Sequence, residues 1–384
     1  MTSAASVADL LDRLRCERSS AKWRTYDADV LPAWIAEMDF NLAPCVSNAL
    51  QAAVARSDTG YRWPGELPEA VGEFMDRHFG WKVRADTVIA LPDVLTGMAE
   101  AMRRLTKPGE SVVINPPVYP PFFNVTRQVA ERGCVEVPLR DGALDLDAME
   151  RAFTRPEVTA YLMCHPHNPT GYVADESTLS AVAHMARRHG VTVISDEIWA
   201  PLTWGSEPFR PYLSIDPELT ASDVALVSAS KAFNLAGLKC SQLIAGSADQ
   251  AVRLRAAIPV EVTYGTGQLG VTASVAAYRD GDDWLADTLE VLRRNARVLQ
   301  QAIAEYELDI DYQVPSATYV AWLDCRSLGF GDDPAQVFLE VGRVALNAGH
   351  LFGHEGKGFV RMNFATDEVL INEAVRRMAK SIVR

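Results

Sequence analysis

Val224-Ala225-Leu226-Val227-Ser228-Ala229-Ser230-Lys231-Ala232-Phe233-Asn234-Leu235-Ala236-Gly237-Leu238-Lys239 is the stretch that decides the interpretation of this chain. Its first four residues are a continuous apolar run, which is typical of a buried strand. Lys231 follows the end of that strand among small hydroxyl residues, where it is well placed to meet a bound cofactor. An amine must lose its proton to form an imine, and burial beside other cations lowers its pKa. Ser228 and Lys239 could both hold an anion such as a phosphate. A solvated loop lysine is the other interpretation of Lys231.

The composition is that of a globular protein larger than one ordinary domain. The chain has 384 residues, a formal net charge of -13 and 48% hydrophobic residues. This length predicts two subdomains with a large core. No block of basic residues occurs, so we expect no nucleic-acid partner, although a local anion pocket is compatible with the charge. No apolar run approaches the roughly 20 residues of a membrane span, so we expect no membrane partner.

The six cysteines are scattered, with no Cys-x-x-Cys pair and no His/Cys spacing typical of a metal site. We interpret them as reduced thiols, which predicts a cytoplasmic protein without a structural metal. Residues 1–20 form a polar amphipathic segment that lacks the apolar core of a secretory signal.

Apolar strands alternate with helices through the middle of the chain. The predicted strands are 87–91, 111–114, 134–137, 160–163, 191–194, 224–227 and 242–245, with helices at 94–105 and 176–189 among them. Near-continuous apolar strands that alternate with helices indicate an α/β fold, with a mostly parallel central sheet covered by helices on both faces.

The pattern changes after residue 267. Helices are predicted at 267–279, 283–306 and 334–341 and from 367 onward, with strands at 319–323 and 359–363. Near the other end, residues 23–42 have the composition of an extended arm that leads into a helix at 44–56. We therefore divide the chain into an N-terminal arm that joins the small domain (1–49), a large cofactor-binding α/β domain (50–282) and a small C-terminal α+β domain (283–384).

Four polar residues follow predicted strand ends, which is where open α/β sheets bind ligands. They are Asn168, Asp196, Ser228 and Lys231. Each signal alone is weak, because Asn-Pro-Thr-Gly usually forms a turn and an aspartate after a strand usually caps a helix. Together they suit a pyridine-aldehyde cofactor held as a lysine imine, with Asp196 at the ring nitrogen and Asn168 at the ring oxygen. Tyr119, after another strand, would cover the ring or is an ordinary loop aromatic.

These residues belong to a longer series of motifs. The series comprises Met38-Asp39-Phe40, Gly60-Tyr61-x-Trp63, Asn168-Pro169-Thr170-Gly171, Ser195-Asp196-Glu197-Ile198, Ser228-x-Ser230-Lys231-x-Phe233-Asn234, Thr318-Tyr319-x-Ala321-Trp322-Leu323 and Phe359-Val360-Arg361-x-Asn363. With them the chain resembles fold-type I pyridoxal-phosphate enzymes of the aminotransferase class I/II superfamily, and within these the MalY/PatB group of cystathionine β-lyase-like proteins. The motifs extend from about Trp34 to Asn363, so the resemblance is nearly full-length.

The resemblance implies pyridoxal 5'-phosphate as the cofactor and gives two residues catalytic roles. Lys231 would bond to the cofactor aldehyde, and Asp196 would bind the ring nitrogen. Asn168 would bind the ring hydroxyl and Tyr119 would stack on the ring, and both would also contact the substrate. Arg361 would bind the substrate α-carboxylate bidentately, with a surface ion pair as the alternative.

The resemblance also implies a phosphate seat and a dimer. The phosphate would be held by a set of side chains and by backbone amides that open a helix, which is a favourable place for an anion. This set comprises Ser228, Ser230, Lys239 and the amides of Val94 and Leu95. Tyr61 resembles the tyrosine that reaches the phosphate of the neighbouring subunit, which implies a homodimer with shared active sites.

Two positions depart from the pattern of the family. Trp199 stands where many relatives have Tyr or His, and its indole can only donate a hydrogen bond. Asp93 stands beside the expected phosphate seat, where many relatives have a small neutral residue. A carboxylate there would repel phosphate unless it points away or caps the helix that begins at Val94.

The function that the resemblance implies is β-elimination on cystathionine or related cysteine S-conjugates, which gives a thiol, pyruvate and ammonia. An aminotransferase is the first alternative, because the same lysine, aspartate and arginine serve it. A cofactor-binding regulatory protein with little turnover is the second. Sequence alone does not indicate the preferred substrate side chain.

Overall fold

The computed structural model describes residues 7–382. Its helices are α1 (Val7–Glu17), α2 (Ala21–Arg24), α3 (Pro44–Ala55), α4 (Leu67–Phe79), α5 (Val94–Leu105), α6 (Pro121–Asn124), α7 (Leu146–Phe153), α8 (Glu176–His189), α9 (Ala229–Ala232), α10 (Ala248–Ala257), α11 (Val260–Tyr264), α12 (Gln268–Asp280), α13 (Asp282–Glu305), α14 (Pro334–Glu340) and α15 (Glu368–Lys380). Its strands are β1 (Leu31–Pro32), β2 (Val88–Leu91), β3 (Ser111–Ile114), β4 (Gly133–Glu136), β5 (Val158–Cys164), β6 (Thr192–Asp196), β7 (Val224–Val227), β8 (Ser241–Ala245), β9 (Val320–Asp324), β10 (Val344–Ala345), β11 (Asn347–Ala348) and β12 (Phe359–Asn363).

A seven-stranded sheet forms the centre of the protein, with the strand order β2-β8-β7-β6-β5-β3-β4. The pairs among β7, β6, β5, β3 and β4 are parallel, whereas β8 pairs antiparallel with both of its neighbours. The predicted α/β fold with a mostly parallel sheet is therefore confirmed. Because β4, β3, β5, β6 and β7 run in one direction, the loops after their last residues meet at one edge of the sheet.

The central strands are buried on both faces, which explains their continuous apolar sequences. Val112 and Ile114 of β3 pack into a cluster that contains Val94 and Met98 of α5. Val113, between them, packs into the cluster on the opposite face, which contains Leu179 of α8. Alternate side chains of one strand thus enter two separate cores, as the two-residue period of a strand requires.

The C-terminal third of the chain contains a second, smaller sheet. Its antiparallel strands have the order β11-β12-β9, and Arg361 of β12 lies opposite Trp322 of β9. Strand β1 pairs in parallel with β10, with Leu31 opposite Val344, so the N-terminal arm is attached to this part of the protein. The domain boundaries given above stay a prediction.

Several elements differ from the sequence prediction. Helices α7 and α10 were not predicted, and the direction of β8 was left open. The amphipathic segment at 1–20 contains α1, and its first six residues lie outside the described part of the chain. Within residues 7–382, no helix combines the length and the apolar character needed to cross a membrane.

Candidate active site

A cavity of about 390 Å³ opens at the carboxyl edge of the parallel strands. This volume lies within the roughly 300–1,000 Å³ of typical small-molecule sites. Its walls contain ten of the eleven site residues predicted from the sequence, namely Val94, Leu95, Tyr119, Asn168, Asp196, Ser228, Ser230, Lys231, Lys239 and Arg361. Six of them lie at or after the ends of the adjacent strands β3, β5, β6 and β7, namely Tyr119, Asn168, Asp196, Ser228, Ser230 and Lys231. The other four come from the start of α5, the residues before β8 and strand β12 of the smaller sheet.

Lys231 presents an amine whose pKa is well below that of an ordinary lysine. Its Nζ donates to the carbonyl oxygen of Ala36 at 2.8 Å and lies 5.6 Å from the ring centroid of Trp199. Burial, followed by the positive charge of Arg361, lowers the pKa of the amine to about 8. A substantial fraction of the amine is therefore neutral near physiological pH, as a nucleophile or a base requires.

Asp196 is a buried carboxylate on the neighbouring strand. It is the last residue of β6, and the backbone N–H of Ile198 donates to its Oδ1 at 3.1 Å. Burial raises the pKa of this carboxyl group to about 7, against the opposing effects of that hydrogen bond and of Lys231. A protonated heterocyclic nitrogen placed against Asp196 would stabilise the ionised form, because an opposite charge lowers the pKa of a carboxyl group.

Arg361 and Asn168 form a hydrogen-bonded pair in the cavity. Nη1 of Arg361 donates to Oδ1 of Asn168 at 3.0 Å, and Nη2 donates to the carbonyl oxygen of Trp34 at 3.1 Å. Arg361 is only 2% exposed, and burial lowers the pKa of its guanidinium to about 10, so the group remains charged at neutral pH. Because Oδ1 of Asn168 accepts from Arg361, Nδ2 is the atom of this amide that could donate to a bound ring oxygen.

The loop that carries Asn168 requires a glycine at position 171 for geometric reasons. Gly171 has a φ of +70°, and a Cβ built there would lie 2.3 Å from Cβ of Pro315. A larger residue is therefore excluded both by backbone strain and by contact. The same loop also holds Tyr119, because the carbonyl oxygen of Asn168 accepts the Tyr119 N–H at 3.0 Å.

The N-terminus of α5 forms the opposite end of the cavity, where Val94 and Leu95 lie in the first turn. The first N–H groups of a helix lack partners within the helix, which makes this end a favourable seat for an anion. Asp93 caps α5, since its Oδ1 accepts from the Thr96 N–H at 2.8 Å. Its Oδ2 lies 3.0 Å from Nζ of Lys239. The aspartate that departs from the family pattern is thus a helix cap with a paired charge.

Ser228 uses its hydroxyl within the protein. Its Oγ donates to the carbonyl oxygen of Cys240 at 2.7 Å and accepts from the Ser230 N–H at 3.1 Å. The geometry therefore gives Ser228 the task of holding the loop that carries Lys231. No hydrogen bond of the described residues ties the Lys239 amine to anything but Asp93, so a phosphate would compete with that carboxylate.

Trp199 forms part of the cavity wall behind Lys231. It is 2% exposed, and its ring packs edge-on against Tyr319 with 4.8 Å between the centroids. The hydroxyl of Tyr319 in turn donates to the Ala36 carbonyl oxygen at 3.0 Å. The indole thus supports the position of the Lys231 amine by packing.

Tyr61, the eleventh predicted residue, lies away from this cavity. It is 91% exposed and its ring centroid is 6.1 Å from that of Tyr264. Its role toward the phosphate of a neighbouring subunit stays a prediction.

Sequence reasoning missed the contribution of the arm residues Trp34, Ile35, Ala36 and Glu37, which line the cavity. Backbone carbonyls of this segment accept hydrogen bonds from Lys231 and Arg361. Its helix-poor composition between Pro32 and Pro44 indicates an extended segment. The residue types do not show which backbone carbonyls of that segment accept hydrogen bonds from the site.

The groups around the cavity fit pyridoxal 5'-phosphate. An amine with a lowered pKa would face the aldehyde, a buried carboxylate would face the ring nitrogen, and an amide donor would face the ring oxygen. The unpaired N–H groups at the start of α5 suit a phosphate.

Comparisons with known proteins identify the family of this chain. The profile of the family described as aminotransferase class I and II matches residues 27–378. A protein from Mycobacterium leprae (strain TN), provisionally named cystathionine beta-lyase, is 42% identical over 405 residues, which cover 100% of this chain and 99% of that protein. Cystathionine beta-lyase PatB of Bacillus subtilis (strain 168) is 30% identical, with 92% of this chain and 93% of that protein covered.

A solved structure shows the same fold with the cofactor. Cystalysin from Treponema denticola, whose crystal structure contains pyridoxal 5'-phosphate, is 26% identical to this chain with a TM-score of 0.90. The match covers 94% of this chain and 95% of cystalysin.

Proposed function

This chain belongs to the aminotransferase class I and II family, and from that premise we propose that it is a pyridoxal-phosphate-dependent carbon–sulfur β-lyase. Its substrates would be cystathionine or related cysteine S-conjugates. The observation that carries the proposal is one cavity that joins the amine of Lys231, the buried carboxylate of Asp196 and the buried guanidinium of Arg361. The names of the relatives at 42% and 30% identity support the lyase reaction over other reactions of the family.

The cofactor, when bound, supplies an electron-withdrawing ring that stabilises negative charge at the substrate Cα. Asp196 would keep the ring nitrogen protonated, since a carboxylate favours the positive charge beside it. Arg361 would bind the α-carboxylate and, through its hydrogen bond with Asn168, fix the position of Cα. The neutral amine of Lys231 would then remove the Cα proton as a general base.

The overall reaction breaks the Cβ–S bond of the substrate. The sulfur leaves with the electron pair of that bond and takes up a proton to become a thiol. Water enters, and the remaining three carbons leave as pyruvate while the amino group leaves as ammonia. No external oxidant or reductant is required.

We also propose a homodimer with shared active sites. The support is a set of exposed aromatic side chains: Tyr61, Trp63 and Tyr264 are exposed by 91%, 76% and 57%, and the rings of Tyr61 and Tyr264 lie 6.1 Å apart. Exposed apolar groups of this kind mark interaction surfaces. A cytoplasmic location is supported by the six cysteines, all of which are free thiols.

The test is an assay of purified, cofactor-loaded protein with L-cystathionine and a panel of S-conjugates. We expect thiol and pyruvate in equal amounts without an added keto acid, and none from the Lys231→Ala variant. Absolute dependence on a keto acid would show an aminotransferase instead. A folded, cofactor-loaded protein that turns over none of these amino acids would refute the lyase and favour a regulatory role.

A further inference from the structure

One carboxylate in the cavity wall has no task in the proposed reaction. The acidic residues that line the cavity in the described part of the chain are Glu37, Asp93 and Asp196. Asp93 caps α5 and pairs with Lys239, and Asp196 is assigned to the ring nitrogen of the cofactor. Glu37 remains. A charged group in the wall of a ligand cavity favours ligands that carry the opposite charge.

The carboxylate of Glu37 acts on the Lys231 amine. Its backbone follows Ala36, whose carbonyl oxygen accepts from Nζ of Lys231 at 2.8 Å. Burial and Arg361 lower the pKa of the amine, whereas the negative charges of Glu37 and Asp196 raise it, and Glu37 has the larger effect of the two. The charged end of the Glu37 side chain, and not only its backbone, therefore lies within electrostatic reach of the amine.

Glu37 is held by one hydrogen bond and keeps an oxygen for a ligand. The Ser20 hydroxyl donates to its Oε1 and forms no side-chain cap on α2, although Ser20 occupies the capping position of that helix. Within residues 7–382, Oε2 accepts no hydrogen bond and Glu37 forms no ion pair. The side chain is only partly buried, and Oε2 is not one of the unpaired atoms that the fold seals from solvent. A ligand in the cavity can therefore reach this oxygen.

Glu37 lies at the amine end of the cavity rather than at the guanidinium end. Its charge changes the pKa of Lys231, whereas the pKa of Arg361 responds to burial and then to Tyr119 and Tyr319, and not to Glu37. With the substrate α-carboxylate bound at Arg361 and Cα facing Lys231, Glu37 is thus separated from the α-carboxylate. It is available to a charged group farther along the substrate side chain.

We propose that Glu37 binds an ammonium group on the substrate side chain and so selects S-conjugates whose leaving thiol is positively charged. Cystathionine belongs to this class, since the half that leaves as a thiol carries an amino group. The inference rests on the proposed function in that the ligand is a cysteine S-conjugate with its α-carboxylate at Arg361. It assigns to the N-terminal arm a side chain that determines specificity, in addition to the backbone carbonyls that contact Lys231 and Arg361.

The test compares three ligands that differ in the charge at the end of the side chain. They are S-(3-aminopropyl)-, S-butyl- and S-(3-carboxypropyl)-L-cysteine, which end in an ammonium, a methyl and a carboxylate group. Each carries a methyl group in place of the Cα hydrogen, so that Lys231 finds no proton to remove. Dissociation constants are measured from the change in cofactor absorbance, for the wild-type protein and for Glu37→Gln, which removes the charge and keeps the length of the side chain.

We expect Glu37→Gln to weaken binding of the aminopropyl ligand about tenfold relative to the butyl ligand, the low end for a hydrogen bond between charged groups because Glu37 is only partly buried. Binding of the carboxypropyl ligand should tighten relative to the butyl ligand, because a like charge is removed. The butyl ligand corrects for the altered pKa of Lys231, which affects all three ligands alike. Glu305→Gln is the matched control: it removes the same charge from an exposed position at the end of α13, outside the cavity, and should leave these ratios unchanged.

An equal shift for all three ligands, or no shift for any of them, would overturn the proposal. Glu37→Ala removes the same charge and supports the same comparison if the Gln variant does not fold. Should the wild-type protein bind the three ligands yet release no thiol from any S-conjugate, the lyase activity fails while the role of Glu37 is still decided by the dissociation constants.

Discussion

The lowered pKa of Lys231 makes the reaction of the cofactor-free protein with pyridoxal 5'-phosphate depend on pH in a defined way. Burial and the neighbouring Arg361 bring the pKa of the amine to about 8, from an ordinary value of 10.5. Only the neutral amine attacks an aldehyde. At pH 8 about half of the Lys231 amines are neutral, against about one in three hundred for a lysine of ordinary pKa.

Two substitutions should move the midpoint, the pH at which half of the Lys231 amines are neutral, in opposite directions. Arg361→Gln removes a positive charge that favours the neutral amine, so the midpoint should move to higher pH. Glu37→Gln removes a negative charge that favours the protonated amine, so the midpoint should move to lower pH. Both changes keep a polar side chain in the cavity wall, and Glu37→Gln also keeps the length of the side chain.

The measurement is the rate of covalent attachment of the cofactor to the cofactor-free protein, followed by absorbance from pH 6 to pH 10. Lys231→Ala is the control that removes the signal. We expect the wild-type rate to rise with pH and to reach half of its maximum near pH 8. A midpoint near 10.5, or two variants that shift in the same direction, would refute the electrostatic account of this lysine.

Three further predictions concern residues around the cavity. Arg361→Ala should lower kcat/KM for S-conjugates at least tenfold, since hydrogen bonds to charged groups are worth about 1.5–3 kcal/mol. An equal loss of kcat/KM on substrates without a carboxylate would contradict the role of Arg361 in binding the carboxylate. Asp93→Asn keeps a good helix cap and frees Lys239, so equilibrium dialysis should show cofactor binding that is tighter by a few-fold; weaker binding would contradict the competition between Asp93 and phosphate. Asn363→Ala removes two donated hydrogen bonds and one accepted one, so urea denaturation should show a loss of about 3 kcal/mol. The control, Asn372→Ala, loses one exposed hydrogen bond and should change stability by less than about 1 kcal/mol.

The sequence predicted the bounds of helices and strands accurately where a short segment alone determines the local structure. Helix α5 was predicted with the bounds that the structure shows, because its apolar face and its capping aspartate are local features. Strands β3, β7 and β12 were likewise predicted to the residue from apolar runs and strand-end motifs. The residues after β3 and β7 then meet through the topology of the parallel sheet.

The direction of β8 could have been predicted by the same reasoning. Only residues 228–240 separate it from β7, and they contain a four-residue helix and a 3-10 turn. A parallel neighbour needs a crossover that usually includes a full helix. The loop is instead occupied by Lys231 and the residues that position it, so the chain returns antiparallel.

What the sequence could not show depends on contacts between distant segments. The Ala36 carbonyl faces Lys231 across 195 residues of chain, and the Trp34 carbonyl faces Arg361 across 327. A backbone oxygen has the same chemistry at every position, so no residue type marks the ones that point into a cavity.

The N-terminal arm connects Lys231 and Arg361, which are far apart in sequence, through hydrogen bonds with both. Asn234, three residues after Lys231, accepts from the Met38 N–H and donates to the Met38 carbonyl oxygen. Asn363, two residues after Arg361, donates to the carbonyl oxygens of Ile35 and Glu37. Lys231 and Arg361 each have an asparagine nearby in sequence, and both asparagines form hydrogen bonds with the segment 34–38. Since that segment also accepts directly from Lys231 and Arg361, displacing it would disturb the amine and the guanidinium together. The relative position of the Lys231 amine and the Arg361 guanidinium therefore depends on the arm, which contacts both.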